Sequence, residues 1–472
     1  MKISKTLVIL MLILNSMLFT YAFAENRVGL GFLYGSTESI NLIDRTKGAI
    51  NHVSPTCFDL NDDGTLLITS NLTKAFVDKM HERGVIVTPF LSNHWARQKG
   101  QNAINNADVL VTQIINAIAE YNLDGVNVDI ENLTEKDRDS LSEFVRILRE
   151  KMPEGKILSV SVAANPFGRV DGWQGSYDYE RLGQYSDYLF IMTYDEHSIG
   201  GPDGPVASFA FVEESIKYAL NYISKDKIVI GIPFFVRYWK HGEVEEASKT
   251  GGDAIVIGAI PSVLESFNVE PVYDENEGEA TITFEVTDET EEYKINGKVL
   301  TNGTYTIWYP NQDSIILKLQ LVNKYDLLGA GVWSLGQEKA EVWSYFGTEL
   351  NKEYRVPEKK VVFHDHTNIK KEKSFYRAIS IIVQEDNDNV KIVNDYKEKD
   401  LASWLDEEKA LKDGRIIFEE EPHVHTDYTN TPKYDKTIQE VQYGGKRPVT
   451  LRIFDGSKKK KVLHRVRLKR EY

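Results

Sequence analysis

The stretch Leu123-Asp124-Gly125-Val126-Asn127-Val128-Asp129-Ile130-Glu131 has a two-residue period. Val126, Val128 and Ile130 alternate with Asn127, Asp129 and Glu131, which assigns the two sets to opposite faces of a β-strand. The segments on either side have helical spacing instead. Within 106–120, Val109, Ile114, Ile115 and Ile118 fall on one side, and 134–151 reads as a second helix with Thr134 and Asp137 placed as a capping box. A strand between two helices belongs to a parallel layout in which both of its faces are covered. A row of carboxylates facing an interior is costly unless a site uses it. A surface strand with acidic decoration is the alternative the residues leave open.

The same alternation of periods runs along most of the chain. Strands are predicted at 27–34 (RVGLGFLY), 50–58 (INHVSPTCF), 85–91 (VIVTPFL), 157–163 (ILSVSVA), 187–194 (DYLFIMTY), 228–235 (IVIGIPFF) and 329–334 (GAGVWS). Helices are predicted at 72–83, 179–184, 211–224, 313–325 and 339–346. The rhythm breaks at 241–306, where short alternating segments and Asn296-Gly297 predict a small antiparallel insert with a hairpin. Eight strand-plus-helix units over about 320 residues predict a (β/α)8 barrel with a small α+β insert between strands seven and eight. An open doubly wound sheet lacks the Gly-rich phosphate fingerprint after its first strand.

Beyond residue 352 the character changes. Strand-like pieces (VVFH, AISIIV, VKIV, RIIF, PVTLRIF, VLHRVRL) and one short helix near 401–410 predict a β-rich C-terminal domain over 353–472, after a catalytic domain over 25–352. Residues 446–470 are basic, which suits docking on an anionic wall polymer as well as an ordinary solvated edge. His364-Asp365-His366 and His423-Val424-His425 have the spacing of metal ligands on strands, and ordinary surface histidines fit them better. The run from Asp59 to Gly64 starts like a calcium loop, but Ser70 occupies the position of the closing glutamate, so the run predicts a turn.

Composition narrows the setting. Lys2 and Lys5, an apolar run from Thr6 to Phe19, and Ala22-Phe23-Ala24 form an export signal over residues 1–24. The formal net charge of −15 argues against a nucleic-acid binder. Cys57 is the only cysteine, so an exported product relies on its hydrophobic core and has no intrachain disulfide.

In a barrel the C-terminal strand ends carry the site, and Glu131 closes its strand with Asp129 and Asn127 behind it. Neighbouring carboxylates cannot both ionise freely, so one holds a proton as a general acid requires. The spacing Asp124-x-x-Asn127-x-Asp129-x-Glu131 resembles the D-x-x-D-x-D-x-E motif of glycoside hydrolase family 18. Met192-Thr193-Tyr194-Asp195, Gly231-Ile232-Pro233-Phe234 and Gly331-Val332-Trp333 resemble further family motifs in order, and DGVNVDIENL, SPTCFDLNDDGTL and MTYDEH look closest to its spore-germination and cortex-lytic branch. Asn127 departs from the usual aspartate.

The resemblance implies a secreted enzyme that hydrolyses β-1,4 linkages at N-acetylglucosamine with retention and without a metal or cofactor. Glu131 is the implied proton donor, the substrate's acetamido oxygen the nucleophile, and Asp129 and Tyr194 the groups that orient and stabilise the acetamido group. Asp195 would bind sugar hydroxyls and Trp333 would stack under the ring, with Asn127 and Met192 in the same motifs. Tyr34, Asn93, Glu196 and Arg237 sit near strand ends and are candidates for lining the sugar cleft. The implied substrate is peptidoglycan, including spore cortex. A chitinase and a non-catalytic sugar-binding or coat protein are the alternatives, and the presence of Glu131 with Asp129 and Tyr194 favours an enzyme.

Overall fold

The computed structural model describes residues 27–34, 39–241 and 252–354, and six strand backbones between 359 and 468. The predicted export signal, the predicted helix near 401–410, and His366, His423 and His425 lie outside the described residues, as does the part of the basic 446–470 stretch that flanks its two strands. The chain divides into two units, 1–354 and 355–472.

In the first unit the strands are β1 (Val28–Leu33), β2 (His52–Pro55), β3 (Phe58–Leu60), β4 (Leu66–Ile68), β5 (Ile86–Val87), β6 (Phe90–Ser92), β7 (Gly125–Asp129), β8 (Ile157–Ala163), β9 (Tyr188–Met192) and β10 (Ile228–Pro233). After them come β11 (Phe235–His241), β12 (Asp253–Val256), β13 (Val272–Asp274), β14 (Glu279–Val286), β15 (Lys294–Ile295), β16 (Lys298–Val299), β17 (Gly303–Tyr309) and β18 (Gly329–Trp333). One curled sheet runs β4-β3-β6-β7-β8-β9-β10-β18-β1-β2-β5, parallel throughout except for the β3–β4 hairpin. Helices between successive strands cover its outer face, as in Ala107–Tyr121 before β7 and Arg138–Lys151 after it.

The second and third predicted strands are each broken in two. β5 pairs with β2, whereas β6 pairs with β3 and β7. The change of partner falls at Thr88-Pro89: Thr88 donates to Val53 at 2.9 Å, while the Pro89 carbonyl accepts from Asn127 at 2.9 Å. Proline has no N–H to donate, so the break falls where the ladder can lose one. The segment 86–92 thus supplies β5 at one end of the strand order and β6 third from the other end.

The period-two pattern of the fourth predicted strand has its expected consequence. Val126, Val128 and Ile130 join the large outer core against the helices, while Asn127 and Asp129 are buried on the concave side. That concave interior is filled by Leu30, Phe32, Phe90, Tyr188, Phe190, Met192 and Val229. Gly231 makes room there, since a Cβ at that position would lie 2.7 Å from the Tyr194 ring and 2.9 Å from Phe190. Thr134 and Asp137 form the expected capping box, ahead of a short 3-10 turn that the sequence reading merged with its helix. The Asp59–Gly64 run is the β3–β4 turn, with the Asp63 carboxylate accepting from the Thr65 backbone at 3.0 Å. The closing helix predicted over 339–346 is instead a 3-10 turn, Ala340–Ser344, followed by a helix at Phe346–Leu350.

The insert begins earlier than predicted, at Phe235, as a five-stranded sheet in the order β12-β11-β17-β14-β13 with a helix at Ile260–Phe267. Asn296 and Gly297, at φ 49° and 79°, form the two-residue turn between β15 and β16 that the sequence announced. The insert is tied to the parallel sheet's helix Gln312–Lys324 by a buried ion pair between Lys318 and Glu279 of β14. Burial pushes the Glu279 carboxyl up to about 7 against the pull of Lys318, and its second oxygen has no partner. Lys318→Met leaves that carboxylate buried and alone, so urea unfolding is expected to register a loss of about 3–5 kcal/mol, which a Lys318→Met/Glu279→Met double variant largely recovers. Unchanged stability of the single variant would refute the role of the pair.

The second unit contains two antiparallel sheets, Lys359–Asp365, Arg377–Asp386 and Asn389–Asn394 in one, and Ile416–Glu420, Val449–Phe454 and Val462–Leu468 in the other. These six strands coincide with the six strand-like pieces read from the sequence.

Candidate active site

The C-terminal ends of the parallel strands gather the acidic groups. Asp129 is 4% exposed at the end of β7, and burial pushes its carboxyl up to about 7, with a Ser161 hydrogen bond and the nearby His94 acting against the rise. Glu131 is held well above the usual carboxylate range, first by burial and then by the Asp129 and Asp195 charges. Tyr194 is partly buried beside the same three carboxylates, and its phenol is held well above the usual range, first by desolvation and then by their charges. An acid that keeps its proton, next to a carboxylate and a phenol, is the equipment of general acid catalysis at neutral pH.

Asp195 follows directly, in the left-handed region at φ 60°. Its carboxylate accepts from Arg237 Nε at 2.8 Å and Nη2 at 2.7 Å, and Arg237 is further fixed by donating to the Gly252 carbonyl. Trp333 ends β18 with its ring 5.1 Å from Phe32 and 5.8 Å from Phe90, so its lower face rests on the concave core. Tyr34 is 55% exposed and 6.0 Å from Trp333. Glu131, Asp129, Tyr194, Asp195, Arg237, Trp333 and Tyr34 therefore share one end of the sheet.

Four of the substrate-binding candidates, Asn127 and Met192 from the motifs and Asn93 and Glu196 from the strand ends, are engaged by the protein itself. Asn127 is fully buried beneath Asp129, between Ser159 and Ser161. Met192 belongs to the concave core. Asn93 is fully buried and clamps the Glu131 peptide: its amide donates to the Glu131 carbonyl at 2.8 Å and its oxygen accepts from the Glu131 N–H at 2.9 Å. Glu196 accepts from the Ser208 N–H at 2.7 Å and from its hydroxyl at 3.0 Å, at the start of the helix Phe209–Leu220, where the free amides favour an anion.

Other residues at this end escaped the sequence reading. His94, beside Asp129, lies 2.8 Å from Asp59. Trp95, 51% exposed, packs edge-on against Trp173 at 4.9 Å, and Trp173 donates to the Tyr177 hydroxyl, which in turn donates to the Ile130 carbonyl. His94, Trp95, Asn132 and Asp195 all have positive φ, so unfavourable backbone gathers at this end of the sheet. Ser159 and Ser161 had a signal, the same alternation within ILSVSVA that marks β7.

Comparison with known proteins bears on the same region. The chain is 24% identical over 348 residues to an uncharacterised glycosylase, YvbX, of Bacillus subtilis, covering 69% of this chain and 93% of that one. It is 23% identical over 331 residues to a cortical fragment-lytic enzyme of B. subtilis, covering 67% and 72%. A chitinase of Chromobacterium violaceum shares its fold with a TM-score of 0.62 at 22% identity, over 70% of this chain and 100% of that one. Residues 49–338 match Glycosyl hydrolases family 18, so the chain that sets Asp129 and Glu131 side by side at one end of its curled parallel sheet is a glycosidase belonging to that family.

Proposed function

We propose that this glycosidase cleaves β-1,4 linkages at N-acetylglucosamine in peptidoglycan, with retention and with the substrate's own acetamido group as nucleophile. The observation that carries the reading is Glu131, a half-buried carboxyl held well above the usual range by desolvation and by Asp129, at the strand ends that also carry Tyr194, Asp195 and Trp333. Glu131 gives its proton to the glycosidic oxygen as the C1–O bond breaks and the acetamido oxygen closes on C1. Asp129 accepts the acetamido N–H and balances the positive charge that develops on the ring so formed, and the Tyr194 hydroxyl donates to the same group. Glu131, now ionised, takes a proton from the water that reopens the ring at C1. Trp333 supports the distorted sugar from below, and Asp195, held rigid by Arg237, receives its hydroxyls.

The reading includes closure of the sheet into a (β/α)8 barrel. It is supported by segment 86–92, which pairs with β2 through its first half and with β7 through its second. The reaction belongs to residues 25–352, outside a bacterial cell after loss of residues 1–24, with the basic 446–470 stretch available for docking on the wall. Peptidoglycan is favoured by the likeness to the cortical fragment-lytic enzyme, and chitin is the second reading, on the likeness to the chitinase. Incubation with vegetative peptidoglycan, spore cortex and chitin oligomers separates the two. New reducing ends at N-acetylglucosamine are expected from a peptidoglycan, release from chitin alone supports the second reading, and no release from any of them overturns both.

A further inference from the structure

A single file of polar side chains runs down the concave interior below Asp129. The Ser161 hydroxyl meets the Asp129 carboxyl. It also lies 2.8 Å from Asn127 Oδ1. Asn127 Nδ2 lies 2.9 Å from Ser159 Oγ. At the foot, the Tyr188 hydroxyl is buried without a well-formed hydrogen bond and faces Ser159 and Thr88. Asn127, Ser159 and Ser161 are at most 1% exposed, so donors and acceptors have to balance within the file.

They balance in two ways. A hydroxyl has one proton, so Ser161 cannot donate both to Asn127 and to an ionised Asp129. With the amide oxygen towards Ser161, the serine donates downwards, and only a protonated Asp129, giving its own O–H to Ser161 Oγ, completes the contact. Once Asp129 ionises, Ser161 has to donate upwards, and Asn127 Oδ1 is left 2.8 Å from a lone pair. A half turn of the carboxamide removes that conflict. Nδ2 then donates to Ser161, Ser161 to Asp129, Ser159 to Oδ1, and Tyr188 to Ser159.

We propose that the Asn127 carboxamide is a two-position relay that turns over with the protonation state of Asp129, so that Ser161 hydrogen-bonds Asp129 both as acid and as carboxylate. No proton travels down the file. Each hydroxyl and the amide keep their own protons, and the proton lost by Asp129 leaves on its upper side. The other ionisable groups around Asp129 are Glu131 on its own strand, His94 after β6, Tyr177 after β8, and Tyr194 and Asp195 after β9. At the foot, burial pushes Tyr188 up to about 12 and its neighbour His52 down to about 4, so both are neutral in between and the file titrates only at its upper end. The kinetic consequence rests on the role proposed for Asp129 above; the rotation itself does not.

Neutron diffraction from deuterated wild-type crystals tests the rotation directly, because it separates amide nitrogen from oxygen. Data are taken well below and well above about 7, where Asp129 changes charge. The Nδ2 deuterons are expected to face Ser159 at the lower pH and Ser161 at the higher one, and one orientation at both overturns the relay. If no polysaccharide is cleaved, the proposed function fails while this comparison still decides the relay. In an active enzyme, Ser161→Ala is expected to raise the acidic limb of kcat/KM by about one pH unit, since the ionised Asp129 loses a charge-assisted donor. Ser161→Thr, which keeps the hydroxyl, is expected to restore it. A limb that stays put or moves down in Ser161→Ala contradicts upward donation.

Discussion

Glu131→Gln is expected to lower kcat by about 10²–10⁴ with little change in KM, the span that a positioned general acid contributes. Glutamine has nearly the same shape and keeps the backbone clamp, because Asn93 bonds the Glu131 peptide and not its carboxyl. The change therefore removes the proton and leaves the cleft. The loss falls on kcat because the proton moves only when the C1–O bond breaks, so ground-state binding does not depend on it. Purified wild type and variant assayed for released reducing ends give the answer, and an equally active variant would remove Glu131 from the mechanism.

Asp129→Asn is expected to cost about 10²–10³ in kcat, the scale of losing one preorganised group that meets developing charge. It also has a pH signature whose sign follows from the structure. Burial raises the Glu131 carboxyl most, and the Asp129 charge raises it further. Neutralising Asp129 removes that second cause, so Glu131 loses its proton at lower pH. The alkaline limb of the rate profile, where the general acid is spent, then moves towards acid, while burial and Asp195 still hold Glu131 above the ordinary range. Residual activity profiled against pH checks the direction, and an alkaline limb that moves up would contradict the coupling between the two carboxyls.

The core of this site was legible because a strand has an unambiguous period. Val126, Val128 and Ile130 could only face the helices if Asn127 and Asp129 faced inward, and they do. The motifs holding Tyr194, Asp195 and Trp333 sit at strand ends for the same reason. What stayed hidden depends on backbone partners and on loops. Nothing in the identity of Asn93 says that its amide will be spent on the peptide of Glu131, and nothing in Glu196 says that it will meet a helix start at Ser208. His94 and Trp95 lie on an irregular segment at positive φ, and Trp173 on a single helical turn, Gly172–Gly175, too short for hydrophobic period to carry information. The broken third strand did leave a mark, Pro89 inside VIVTPFL, whose missing N–H marks the point where the strand changes partners.

Substrate assistance by the acetamido group is the central claim, and it fixes the stereochemistry of the product. Following the first turnovers of wild-type protein on a β-1,4-linked N-acetylglucosamine oligomer by proton NMR, before the anomers equilibrate, reads that stereochemistry directly. Two displacements at C1, the first by the acetamido oxygen, predict that the new reducing end appears as the β-anomer. Appearance of the α-anomer first would mean a single displacement by water, and would contradict the roles assigned to Asp129 and Glu131 together.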